Sequence, residues 1–227
     1  MRKIIFLLIL VLGSLSASAQ MNYIAKGNKL IYFGIAVGAS YGDYKVIRSP
    51  KLNAAEDTIV RVETQGGAGF DLGIISNFQV HKYFDIRFVP ALSFSDKSVL
   101  FTDKFGAQTK KTVQSIYFNL PITFRYKSKP INDFRFFVLA GFRYNFDLNA
   151  NSNERNVETQ LLVNRHDFGV EMGFGFQIFM PTFILSPEIK VYHSMKDMKK
   201  DNPALIHSRA IEKMFSRIFT LTINLEG

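Results

Sequence analysis

The stretch "FRFFVLAGFRYNFDL", residues 134–148, decides the fold class because two kinds of residue alternate along it. Successive side chains of a β-strand point to opposite faces. One face of this stretch is apolar and mostly aromatic and includes Phe142. The opposite face carries Arg135, Arg143 and Asp147. The stretch therefore predicts a strand that separates an apolar medium from a polar one, and the apolar medium is either a protein core or a lipid bilayer.

The same alternation recurs along the chain between turn signals, and no segment has a convincing helical period. We predict eight strands, at about 30–47, 66–80, 84–101, 112–127, 134–148, 166–180, 183–195 and 215–226. The links between them alternate in length. Short links are predicted at 81–84, 128–133 and 180–182, and longer links at 48–65, 102–111, 149–165 and 196–214. This alternation is typical of transmembrane barrels, which have short periplasmic turns and long outside loops.

The two faces distinguish a membrane barrel from a soluble one. A small soluble barrel fills its interior with apolar side chains, whereas here the non-apolar face collects charges of both signs. The residues predicted to form a lumen charge network are Asp71, Arg87, Arg125, Arg135, Arg143, Asp147, Glu171, Glu188 and Lys190. The residues predicted to face lipid include Phe118, Phe142, Phe174, Phe176 and Phe219. The sequence thus predicts an all-β fold, an eight-stranded antiparallel transmembrane up-and-down β-barrel whose polar lumen is filled by side chains.

Proline positions do not fit this pattern without distortion. Pro90, Pro121 and Pro187 fall inside predicted strands, where proline removes a donor from the hydrogen-bond ladder. A closed barrel has no edge strand, so we expect bulges or kinks at these positions.

The N-terminus has the features of an export signal peptide. Arg2 and Lys3 precede an apolar run from Ile4 to Leu12, and small residues occupy 17–19. The run is shorter than the roughly 20 residues that a spanning helix needs. We therefore expect a signal peptide at 1–19 and a single barrel domain at 20–227. The chain has no cysteine, so disulfides and thiolate sites are excluded.

Composition narrows the function classes further. The formal net charge is +9, but the basic residues are scattered along strands and turns, which disfavours a nucleic-acid partner in an exported, aromatic-rich chain. No histidine pair has a chelating spacing, and the glycines lack a strand–turn–helix context for phosphate. The sequence therefore predicts no metal, no cofactor and no evident small-molecule substrate.

An outer-membrane hydrolase is the enzymatic alternative, and it requires a serine beside a base. His193 and Ser194 are adjacent, as are His166 and Asp167. Adjacent residues of a strand point to opposite faces, so neither pair can form the required contact. The sequence therefore predicts a protein without a catalytic site.

Four stretches together resemble the PorT family of outer-membrane β-barrel proteins. They are "GFDLGIISNFQVHKYFDIRFVPALSF" (69–94), "SIYFNLPITFRYKSK" (115–129), "FRFFVLAGFRYNFDL" (134–148) and "FILSPEIK" (183–190). The final strand ends "TLTINLEG" and lacks the terminal Phe usual in outer-membrane barrels. The family has no catalytic motif, so no active-site residue is carried over.

The resemblance implies a bacterial outer-membrane protein, with both termini in the periplasm, that assists type IX protein secretion and, in gliding bacteria, surface motility. It implies outer-membrane lipids and other secretion-system proteins as partners. The alternative is an autonomous small barrel of the porin-like or OmpA type with an anchoring or adhesive role.

We predict that the signal is removed next to Ala19. N-terminal sequencing of the protein extracted from membranes should begin at Gln20 or close to it. Recovery of the membrane-inserted protein with Met1 still attached would contradict this.

Overall fold

The structure, a computed structural model, describes residues 29–48, 59–149, 164–199 and 211–227. The predicted signal at 1–19 lies outside the described residues. The described backbone forms β1 (Ile31–Arg48), β2 (Ile59–Gln65), β3 (Gly67–His81), β4 (Phe84–Phe88), β5 (Ala91–Asp103), β6 (Gln108–Lys127), β7 (Phe134–Asp147), β8 (His166–Phe179), β9 (Ile184–Ser194) and β10 (Ile211–Glu226). Within these ranges, no helix has the length and apolar content needed to cross a membrane.

The strands close into an antiparallel ring. Each strand from β6 to β9 pairs with the strand that follows it in the chain. β1 pairs with both β10 and β3 and so closes the ring. β4 and β5 share one position, because both pair with β3 on one side and with β6 on the other. The ring therefore has eight positions, as the alternation predicts. Its turn end holds the links 82–83, 128–133 and 180–183, and the opposite end, called the loop end, holds the turn 104–107 and the far ends of β5 and β6.

Three of the predicted long links contain strand residues instead. The link 196–214 contains the start of β10, from Ile211. β2 occupies part of 48–65 because "IVRVETQ" also alternates, and it pairs with the far end of β5. The link 102–111 is likewise shorter than predicted, since β5 and β6 extend to Asp103 and Gln108. Asp103 closes this hairpin by accepting hydrogen bonds from the backbone N–H groups of Phe105 (2.9 Å) and Ala107 (2.7 Å) through its Oδ1. Gly106 supplies the positive φ of 83° that the turn requires.

The prolines distort the ring less than expected. Pro90 separates β4 from β5, although the pairing with β3 resumes in the same register. Pro121 lies in β6, whose ladder with β7 is continuous, whereas its ladder with β4 and β5 is interrupted opposite Val89 and Pro90. Pro187 also lies in an unbroken strand, and only the ladder between β8 and β9 is interrupted beside it. A proline can remain in a strand when its carbonyl still serves the ladder, as that of Pro121 does for the N–H of Val89 (3.4 Å).

An apolar band encircles the outside of the ring. Large apolar side chains point outward from β1 and from β3 to β10, and many of them are about half exposed. Phe142 and Phe174 keep 53% and 58% of their surface exposed. Soluble monomers rarely leave an apolar surface of this extent in contact with water. The outer surface is therefore built for lipid.

We predict that the middle of this band does not tolerate charge. Phe142→Arg or Phe174→Arg should each lower the free energy of unfolding by about 2–4 kcal/mol, because an arginine would face hydrocarbon. Phe84→Arg, at the turn end, is the matched control and should cost about 0–1 kcal/mol. Urea titration of the barrel in lipid vesicles measures all three. Equal unfolding free energies for the three variants and the parent would place these side chains outside the bilayer.

Candidate functional site

The interior of the ring is charged and electrically balanced. The strand alternation turns one side chain in two toward the lumen, and these residues are almost entirely buried. Among the described residues, the lumen holds as many acidic as basic side chains. The acidic ones are Asp71, Asp85, Asp147, Asp167, Glu171, Glu188 and Glu226, and the basic ones are Arg87, Lys97, Arg125, Lys127, Arg135, Arg143 and Lys190. Buried charges of both signs in equal number can neutralise one another without bound ions.

Arg125 organises the lumen near the turn end. Its guanidinium donates through Nη2 to Asp85 Oδ2 at 2.7 Å and to the Tyr32 hydroxyl at 2.6 Å. The ammonium of Lys127 lies 2.5 Å from the other oxygen of Asp85. The Arg125 guanidinium also lies 4.7 Å from the ring centre of Phe137. One carboxylate therefore serves two cations, and tyrosine and aromatic contacts complete the layer.

Arg87 spans the lumen. It projects from β4 and its guanidinium contacts Glu226 of β10, while its Nη1 lies 3.5 Å from Glu188 Oε2 of β9. Its Nε donates to Asn77 Oδ1 at 3.2 Å. Arg125 Nη1 also approaches Glu226 Oε1, at 3.8 Å. Strands on opposite sides of the ring are thus joined by ion pairs through its centre.

The middle of the lumen contains an ion pair between neighbouring strands. Arg143 Nη1 lies 3.1 Å from Glu171 Oε2, across the ladder between β7 and β8. Lys190 Nζ lies 3.0 Å from Glu188 Oε1 and 4.0 Å from Glu171 Oε1. Arg135 sits elsewhere, with its guanidinium 5.6 Å from the ring centre of Phe179.

A small cavity of about 30 Å³ lies beside this pair. Asp71, Arg143, Glu171 and Lys190 are among its lining residues, and Asp71 Oδ1 has no hydrogen-bond partner among the described residues. A cavity of this size accommodates about one water molecule. Side chains, rather than a continuous water column, therefore occupy the lumen at this level.

Toward the loop end the lumen carries a second polar layer. Lys97 Nζ donates to Ser216 Oγ at 2.8 Å and lies between the rings of Tyr44 and Tyr117, at 5.0 and 5.1 Å from their centres. Asp147 accepts a hydrogen bond from Ser115 Oγ at 2.9 Å. In this layer, Lys97 and Asp147 therefore interact with tyrosine and serine side chains rather than with arginine.

Beyond this layer an apolar cluster covers the lumen. Its buried members are Tyr44, Val62, Val99, Phe101, Met198, Ile211 and Met214. Sequence reasoning missed this apolar cap, because β2 and the start of β10 were interpreted as links. It also left Asp85, Lys97, Lys127, Asp167 and Glu226 out of the charge network, although the inward parity of each strand, followed to the strand's end, would have included them.

The two sequence pairs considered for catalysis are each split between the faces of the sheet. Ser194 is buried in the lumen and donates to Asp167, whereas the ring of His193 lies near Phe215 (6.4 Å between centres). His166 is exposed and its Nδ1 lies 2.6 Å from the hydroxyl of Tyr144. Neither histidine contacts the side chain beside it in sequence, as the strand parity requires.

The predicted lipid-facing phenylalanines lie on the outer side of the ring. Phe118, Phe142, Phe174 and Phe219 are exposed there. Phe176 is partly covered, because its ring stacks on Phe134 with 5.2 Å between centres.

Comparison with known proteins gives a family match. Residues 18–200 match the sequence model of a family described as "Outer membrane protein beta-barrel domain". No curated protein sequence matches the chain significantly.

Solved structures with a similar fold are outer-membrane and surface proteins of low sequence identity. OprG from Pseudomonas aeruginosa is 11% identical, with a TM-score of 0.47 over 87% of this chain and 94% of OprG. Neisserial surface protein A is 10% identical, with a TM-score of 0.42 over 85% of this chain and 96% of that one. The attachment invasion locus protein Ail of Yersinia pestis, solved with the heparin analogue sucrose octasulfate, is 12% identical, with a TM-score of 0.38 over 88% of this chain and 100% of Ail.

We predict that breaking the Arg143–Glu171 pair destabilises the barrel. Glu171→Ala should lower the free energy of unfolding by about 3–5 kcal/mol, because it leaves a buried guanidinium without its closest carboxylate. Replacing both partners, by Arg143→Met with Glu171→Leu, should recover most of this loss. Urea titration of the single and the double variant in lipid vesicles measures their free energies of unfolding. A single variant as stable as the parent would contradict the assigned role of the pair.

Proposed function

The chain belongs to the outer membrane protein β-barrel domain family, and from that premise we propose that it is a non-enzymatic accessory of type IX protein secretion. In this role it assists the assembly or operation of the secretion machinery in the bacterial outer membrane. The conduit for secreted proteins is another subunit.

The closed lumen carries this proposal. Arg87 connects strands on opposite sides of the ring through Glu188 and Glu226, and the apolar cap covers the loop end. An eight-stranded barrel is only wide enough for its own side chains. A polypeptide cannot pass such a lumen, so a role in secretion has to be exercised from the surface of the barrel.

The position of the PorT-like stretches supports the choice of secretion system. Residues 69–94 form β3, β4 and the start of β5, and residues 134–148 form β7. The four stretches together contain Arg87, Arg125, Arg143 and Glu188. The segments that resemble the family therefore contribute several of the charged residues that fill the lumen.

A second candidate is anchoring or adhesion at the cell surface. β6 has 20 residues, whereas a tilted transmembrane strand needs about 9–11. Together with β2 and the far end of β5, the excess projects from the bilayer at the loop end. Such a platform suits a protein that presents a surface outside the cell.

We predict that deleting the gene in its native host blocks release of type IX cargo, which then accumulates in the periplasm. Export of an unrelated outer-membrane barrel is the control and should be unchanged. The wild-type gene in trans should restore release. Normal cargo release from the deletion strain would overturn the secretion role in favour of the adhesive one.

Co-purification of the unmodified protein distinguishes between the two proposed functions. After extraction of native membranes with a mild detergent, an accessory of secretion should elute with other secretion-system proteins. An adhesive or anchoring barrel would elute alone in repeated preparations.

A further inference from the structure

A groove of about 380 Å³ indents the outer surface of the ring near the loop end. It is lined by residues of β3, β5 and β6 together with one residue that follows β7. Its lining residues include Ala68, Phe70, Phe94, Asp96, Ile116 and Asn149.

The groove opens to the outside of the barrel and not to the lumen. Ala68 and Phe70 are exposed on the outer face of β3. On the lumen side of β3, next to Gly69, there is no comparable space. A Cβ added to Gly69 would meet Ser40 Oγ and Ser95 Cβ, each at 2.9 Å. The open volume is therefore on the lipid-facing side of the wall.

Two features shape the groove. Phe70 and Phe94 stack with 4.8 Å between ring centres and 10° between planes, so they form a flat apolar wall that Ile116 continues on β6. Ala68 stands at the next outward position of β3 and fills much less space than Phe70. The groove lies next to this small side chain.

The groove lies where the hydrocarbon of the bilayer ends. The outward residues of β3 from Phe70 to Val80 span the roughly 9–11 residues that a transmembrane strand needs. Ala68 is one outward position further toward the loop end. Asp96 is one outward position beyond Phe94 on the neighbouring strand, and it is exposed. Asp96 thus stands at the level of lipid head groups.

We propose that this groove binds a membrane lipid whose head group carries a primary amine. The hydrocarbon of the lipid lies on Phe70, Phe94 and Ile116, continuous with the apolar band around the barrel. The ammonium group meets the Asp96 carboxylate, which is the charged side chain among the lining residues. Charge complementarity therefore selects a cationic group over an anionic one at this point.

Native mass spectrometry of the full mature barrel in mild detergent tests the site. The probes are phosphatidylethanolamine and phosphatidylglycerol with identical acyl chains. The parent should retain more phosphatidylethanolamine. Asp96→Asn should reduce that preference by roughly threefold to fivefold, the effect of one exposed ion pair. Glu212→Gln, which changes an exposed carboxylate on β10, is the control and should leave the preference intact.

A second pair of variants tests the groove itself. Ala68→Leu should weaken retention of both lipids by roughly tenfold, because the added side chain fills the space that the acyl chain needs. Ala140→Leu, at an exposed outward position of β7, is the control and should retain lipid like the parent. Positions 68 and 140 both face outward. The faster migration of the folded barrel on unheated gels verifies that each variant folds.

Three results would overturn the proposal. The first is a parent barrel with no preference for phosphatidylethanolamine, which requires no variant to measure. The second is an Asp96→Asn barrel that keeps the full preference. The third is a folded Ala68→Leu barrel that retains both lipids as well as the Ala140→Leu control does.

Discussion

The structure depends on one electrostatic constraint, which is that ionised side chains buried inside the ring need counter-charges or hydrogen-bonding partners. Arg87 and Arg125 are almost completely buried, and an unpaired guanidinium in such a place would be prohibitively costly. Because the charges face inward, the aromatic residues of the same strands face outward. The same alternation that neutralises the lumen therefore also makes the outer surface suitable for lipid, and a register slip of one residue would reverse both faces at once.

The acidic and basic side chains of the lumen are divided unevenly between the two halves of the chain. Among the described lumen residues, β1 to β6 supply more basic than acidic side chains, whereas β7 to β10 supply more acidic than basic ones. Arg87 finds its carboxylates on β9 and β10, and Glu226 lies at the very end of β10. Closing the ring thus brings together two halves of opposite charge. The final strand provides the counter-charge of Glu226 as well as the last hydrogen-bond ladder.

Strand alternation predicted the eight positions of the ring and the face of each strand, because period-two patterning is a local property of the sequence. It also placed Arg143 and Glu171 on the lumen side of neighbouring strands, where they form an ion pair. It did not predict that Arg87 reaches Glu226, because contacts through the lumen depend on the stagger of the closed ring. It missed the apolar cap for a different reason. Val62 and Ile211 lie in segments interpreted as links, and their burial arises only from the hairpins that extend the wall at the loop end.

Conductance of the purified wild-type barrel in planar bilayers tests the central claim that ion pairs and the apolar cap close the lumen. A porin inserted under the same conditions confirms that the bilayers report open channels. Our account predicts no sustained current steps from this barrel across the accessible voltage range, because the lumen is filled by side chains. Steady, reproducible pore currents from the folded wild type would contradict it and would indicate a porin instead.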